Sequence, residues 1–205
     1  ALADRLPYAA TATGDIVVFQ AIADLIFASA ITSLGVALVG TAVALALAFR
    51  ALFGRATLGL TVLVPILATV ALVAASMRFV GIALNAFTAT VLALTIGLGV
   101  DYGVHFVHRY ADERTDGASV EVALTTTVTG TGGALAGSML TTVFGIGVLV
   151  LATFPAIGQF GVLAALSVLY AFLTSLLVLP SVLVLRARYA GSVPVETGAV
   201  GTTES

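Results

Sequence analysis

Lysine and cysteine are absent from this chain of 205 residues, and charged residues of any kind make up 9% of it against 60% hydrophobic. Without cysteine there is no disulfide, no thiolate metal site and no cysteine nucleophile. Without lysine there is no Walker A nucleotide loop and no amine to form a Schiff base with retinal or pyridoxal phosphate. Self-contained ATP-driven and light-driven pumps are thereby excluded, and neither a cofactor nor a metal is expected. All eight basic residues are arginine, and with a net charge of -2 they leave no basic footprint for nucleic acid. A soluble domain meets water with about 25% charged residues, which this chain does not have.

What is present is apolar sequence in long uncharged runs: Leu25 to Phe49, Ala56 to Met77, Phe79 to Val100 and Val122 to Leu185. A run of about 18 or more such residues crosses a hydrocarbon core of about 30 Å as a helix. The last run is long enough to cross twice. Lipid offers no partner to an unpaired amide, so only helices or closed barrels span it, and these runs lack the alternation of barrel strands. The fold class is therefore an all-α integral membrane protein with five transmembrane helices.

Residues 1–14 read as an irregular extracytoplasmic leading segment, and residues 15–30 as an N-terminal helix lying at the interface, with Asp15, Gln20 and Asp24 between apolar positions. Spans are expected at about 31–49, 57–76, 82–108, 131–153 and 159–185, together a transmembrane domain over residues 31–188. Pro65 predicts a kink in the second span. Asp116 is placed to cap a short amphipathic helix over 118–128, Pro155 marks a tight turn, and residues 189–205 read as a disordered tail. Short arginine-rich loops stay in the cytoplasm. Arg50, Arg55, Arg109, Arg114, Arg186 and Arg188 fall on one side, with Arg5 and Arg78 on the other. This predicts a cell-membrane protein with its N-terminus outside and C-terminus cytoplasmic. An outside N-terminus without a recognisable signal predicts the C-terminal piece of something longer.

The one charge inside a predicted span is Asp101, in Gly97-Leu98-Gly99-Val100-Asp101-Tyr102-Gly103-Val104-His105-Phe106-Val107-His108. It lies roughly 12 Å from Arg109 along the helix axis, well inside the hydrocarbon. An acid at the centre of a span costs about 2.5 to 3.5 kcal/mol on insertion scales, and residues kept at that cost mark ion or proton paths. Helical spacing puts Gly97, Asp101, Val104, His105 and His108 on one stripe, an acid followed by two imidazoles. His105 is a candidate relay and His108 an interfacial residue. Gly99 and Gly103 lie opposite, where another helix can approach. Tyr102 points between the faces, so its hydroxyl is expected to serve an acid on a neighbouring segment.

The fourth span carries a stripe of small and hydroxyl residues: Gly130, Gly133, Ala134, Gly137, Ser138, Thr141, Thr142 and Gly145. Gly133 and Gly137, like Gly97, Gly99 and Gly103, are read as packing positions. Ser138, Thr141 and Thr142 are candidates to face Asp101 and complete a hydrated polar path. Packing alone would equally account for any one of the three.

Residues 97–114 closely resemble the fourth or tenth transmembrane helix of the resistance-nodulation-division (RND) superfamily, in its MMPL-like exporter branch, with the Gly-x-Gly-x-Asp-Tyr signature. The resemblance extends over about residues 15–188, through Phe49-Arg50, Gly81-Ile82-Ala83-Leu84-Asn85, Thr141-Thr142-Val143-Phe144-Gly145, Pro155 with Gln159-Phe160-Gly161, and Leu179-Pro180. Such proteins have two similar halves, each with one helix, a large extracytoplasmic domain and then five helices, and this chain resembles the last five of the second half. The resemblance implies a proton-driven exporter of lipids or other hydrophobic molecules. In it Asp101 would carry the proton and Tyr102 would donate to its partner, each pairing with the equivalent residues of another half, in the same longer chain or a second copy.

Three other readings stand beside it. A sensing or scaffolding module similar to sterol-sensing domains shares the five-helix arrangement and binds ligand without transport. Gly97-Leu98-Gly99-Val100-Asp101 resembles the Gly-x-Gly-Asp signature of intramembrane aspartyl proteases, but the spacing is off by one and no other span has an acid to share a proton. A channel lacks a selectivity ring, since there is one intramembrane acid.

Overall fold

A computed structural model of the chain describes residues 15–83 and 85–189. Among them the elements are all helical: α1 (Asp15–Phe53), α2 (Ala56–Leu60), α3 (Leu63–Val80), α4 (Ala86–Thr115), α5 (Val120–Gly147), a 3-10 turn (Val148–Leu151) and α6 (Pro155–Tyr189). They make five segments long and apolar enough to cross a membrane, with α2 and α3 together as the second and α5 with its 3-10 turn as the fourth. The leading segment and the tail beyond Tyr189 lie outside the described residues.

The boundaries differ from expectation where local chemistry overrides the charge map. No turn separates an interfacial helix from the first span: α1 is one helix of 39 residues, about 58 Å long. Gln20 and Asp24 lie in its first turns without breaking it, because α1 contains no proline. The expected kink at Pro65 lies instead ahead of the proline, at Thr61 and Val62, which separate α2 from α3. Pro65 then sits in the first turn of α3, where its missing N–H is no loss. Pro155 likewise opens α6 as its first residue, the position where a fixed φ favours a helix start.

Gly117 ends the α4 connection with a left-handed φ of 90°, open to glycine without strain. Ser119, not Asp116, then caps the next helix, accepting from the Val122 amide at 3.3 Å, and that helix runs unbroken to Gly147 with no separate amphipathic segment. Asn85 and Thr88 cap α4 reciprocally: the Thr88 amide donates to Asn85 Oδ1 at 3.0 Å and the Asn85 amide to Thr88 Oγ1 at 2.8 Å.

α6 is the central helix, packed against α3, α4 and α5, while α1 packs on α2 and α4 at the edge. The most apolar stretches of the second, third and fifth spans are 44% buried, those of the first and fourth 11%. α1 and α5 therefore flank the bundle and offer apolar surface to lipid or to a partner. One core cluster joins Phe49, Val62, Ile66, Phe106 and Leu183 near the arginine-bearing end. A second joins Val73, Val91 and Leu163, and a third gathers Tyr102, Leu135, Met139 and Val168 between α4, α5 and α6.

Candidate proton site on the fourth helix

α4 has a closed side and an open side. On the closed side, a Cβ added at Gly99 would come within 2.9 Å of Ile66 Cγ1, and one added at Gly103 would overlap Val62. Glycine at both positions lets α4 lie directly on the start of α3. Gly97, Gly133 and Gly137 face open space, with nothing within 4 Å of an added Cβ. Of the five glycines expected at helix contacts, two face a neighbour inside the chain and three do not.

On the open side, Gly97, Asp101, His105 and His108 are all exposed. One helical turn aligns Asp101 and His105: Oδ1 and Nε2 are 3.4 Å apart, and each side chain is 64% exposed. The pair is a carboxylate and an imidazole that can share a proton. Farther along, His108 Nδ1 lies 3.0 Å from Asp112 Oδ2 and its ring meets Phe53 edge-on at 5.3 Å. Arg109 pairs with Glu113 at 2.6 Å. The polar stripe thus ends in ion pairs at the arginine-bearing end.

Tyr102, next to Asp101 in sequence, turns away from that stripe. Its ring is buried, set edge-on to Phe172 with centroids 6.1 Å apart, and its hydroxyl lies near Ser138 on α5. The step of about 100° per residue carries it from the open side to the seam between α4, α5 and α6. Ser138 is therefore brought to the site through Tyr102. Thr141 and Thr142 are not: their hydroxyls donate to the carbonyls of Gly137 and Ser138 on their own helix, each at 2.9 Å.

A second polar set, which the sequence reading missed, runs through the interior. Thr69 and Thr174 Oγ1 atoms are 2.7 Å apart, Thr95 Oγ1 and Ser167 Oγ 2.8 Å, and Ser76 Oγ and the Tyr170 hydroxyl 2.9 Å. These pairs link α6 to α3 and α4. The available signal was the spacing of Ser167, Tyr170 and Thr174, a polar residue on each turn of one face of an otherwise apolar helix.

Comparison with known proteins places this architecture. Residues 3–199 match the MMPL family. The chain is 36% identical over 127 residues to a protein of Methanocaldococcus jannaschii whose name describes it as a membrane protein, covering 62% of this chain and 33% of that one. It is 33% identical over 97 residues to the apo-petrobactin exporter of Bacillus anthracis, covering 47% of this chain and 13% of the exporter. No solved structure matches. The chain thus spans a third or less of the length of these curated relatives. With the match running through nearly its whole length, the chain belongs to the MMPL family and is a multi-pass helical membrane protein.

Proposed function

We propose that the chain is the transmembrane half of a proton-motive-force-driven exporter of lipids or other hydrophobic molecules, not an enzyme. It would sit in the cell membrane with its N-terminus outside and its C-terminus in the cytoplasm. One observation carries the reading: Asp101, an acid midway along the spanning helix α4, stands on its open side within 3.4 Å of His105. A carboxylate held at that depth marks a proton path, and an open face permits a proton to arrive and leave. The Bacillus anthracis relative, by its name an exporter, supports export as the class of activity.

In this reading a second half, in the same longer chain or as a second copy, covers the open side of α4 and the small-residue face of α5. Asp101 takes up a proton and so becomes neutral, which lowers the cost of bringing that face against an apolar partner. His105 receives or returns the proton one turn closer to the arginine-bearing end. The buried Tyr102, packed against Phe172 and the α5 residues Leu135 and Met139, fixes the rotation of α4 against α5, so that Asp101 is held outward.

The test is Asp101→Asn in the complete transporter, reconstituted in liposomes with an imposed pH gradient. Asparagine keeps size and polarity and cannot carry a proton. Transport driven by the gradient is expected to fall to background while protein insertion and yield are unchanged. Gradient-driven transport at the wild-type rate would overturn the proposal.

A further inference from the structure

Where the first turns of α5 meet the last turns of α6, a groove of about 520 Å³ opens to the surface, lined by Val120, Leu124, Thr125 and Val184 together with Glu121 and Arg188. A second depression of about 360 Å³ shares Val184 and Arg188 with it and continues along α6 to Ser181 and Pro180. Pro180 lies about 12 Å along the helix from Arg188. The two depressions adjoin at Val184 and Arg188, with Glu121 beside the first and Pro180 and Leu185 along the second.

Among the described residues the two charges beside these depressions, Glu121 and Arg188, take no ion-pair partner. Arg186, by contrast, is tied to Thr57 Oγ1 at 2.7 Å. An anionic ligand would meet Arg188 favourably and Glu121 unfavourably, and a cation the reverse. A headgroup with a phosphate and an ammonium a short linker apart satisfies both, and the apolar residues alongside accept a hydrocarbon chain.

We infer that this groove binds one zwitterionic aminophospholipid, its phosphate on Arg188, its ammonium on Glu121 and an acyl chain along α6 toward Pro180. The guanidinium supplies the forked donors that suit a phosphate. The ammonium supplies N–H donors to the carboxylate, so a quaternary ammonium of the same charge is the poorer fit. Leu124 and Val184 give the chain an apolar wall. This site is at the opposite end of α5 from the 3-10 turn and does not depend on Asp101 or on the export reading.

The experiment is lipid retention by the full protein in mixed bilayer discs of dioleoyl phosphatidylethanolamine, phosphatidylcholine and phosphatidylglycerol, read by mass spectrometry after extraction. Wild type is expected to enrich phosphatidylethanolamine about tenfold over each of the others, equivalent to about 1.4 kcal/mol. Arg188→Gln should abolish the enrichment. Glu121→Gln should erase the preference over phosphatidylcholine and raise phosphatidylglycerol. Both residues are exposed, so an unchanged melting midpoint is expected for both variants. Three results would overturn the inference: equal retention of all three lipids by wild type, enrichment that survives Arg188→Gln, or displacement of the lipid by soluble phosphoethanolamine. Enrichment that emerges only after removal of residues 190–205 would also overturn it, since it would make the chain's own tail the occupant.

Discussion

The two sides of α4 are both polar, yet they treat polarity in opposite ways. Toward α6, Thr95 meets Ser167 with hydroxyls 2.8 Å apart, and both are fully buried. Away from it, Asp101 and His105 stand open, each 64% exposed. Hydroxyls can be buried at little cost because each has a fallback within its own helix: Thr95 also reaches the Val91 carbonyl at 2.7 Å and Ser167 that of Leu163 at 2.8 Å. A carboxylate has no donor to turn to in its own helix ladder and must find a proton, water or a partner. The closed side therefore holds the bundle together, and the open side leaves its acid and imidazole accessible. Substitutions matched across the helix separate these two roles.

The largest contrast is expected between glycines. Gly103→Val should force Val62 aside and destabilise the bundle by about 1–3 kcal/mol, as overpacking does in tight cores. Gly97→Val has open space around it, so its stability should match wild type, while association with the proposed second half should weaken. Unfolding midpoints in detergent and co-purification of the two halves read the two effects. Equal destabilisation by both variants would erase the distinction between the sides.

A smaller effect is expected in the interior ladder. Thr95→Val keeps the shape and removes the hydroxyl facing Ser167. Interhelical hydrogen bonds in membranes average about 0.6 kcal/mol in double-mutant cycles. Ser167 still bonds the Leu163 carbonyl, so a loss of about that size is expected. Pairing it with Ser167→Ala should add little more, since the shared bond is already gone. Additive losses in the double variant would show that the two hydroxyls act independently of each other.

How much of this was legible in the sequence follows the same division. The five spans could be read from gaps between charges, because charge exclusion is a one-dimensional property of the chain. The pairing of Asp101 with His105 was legible too, since it lies within one helix at four residues' spacing. What could not be read required register between helices. Ser138 is recognisable in the sequence as a polar residue of α5, but its nearness to Tyr102 is set by how α5 rotates against α4. The Thr69 contact with Thr174 spans three helices' worth of sequence and leaves no local trace beyond periodicity. The cap at Ser119 was missed because Asp116 is an equally good cap by type, and the left-handed Gly117 places the helix start beyond it.

The smallest expected effect concerns Ser175 on α6, whose buried Oγ is without a hydrogen-bond partner among the described residues. It sits beside the ladder residue Thr174 without joining it. An unsatisfied buried hydroxyl costs about 1–3 kcal/mol in soluble proteins, less where the unfolded reference is itself in lipid. Ser175→Ala removes that hydroxyl and leaves a space of one oxygen atom. Stability equal to wild type, or higher by up to about 1 kcal/mol, is therefore expected in the same unfolding assay. A loss of stability would mean that the hydroxyl holds a buried water, which needs two or more polar partners that Thr174 and its neighbours would have to supply. The interior would then be a hydrated path in its own right, and the contrast between a closed side and a proton-exchanging side would fail at this residue.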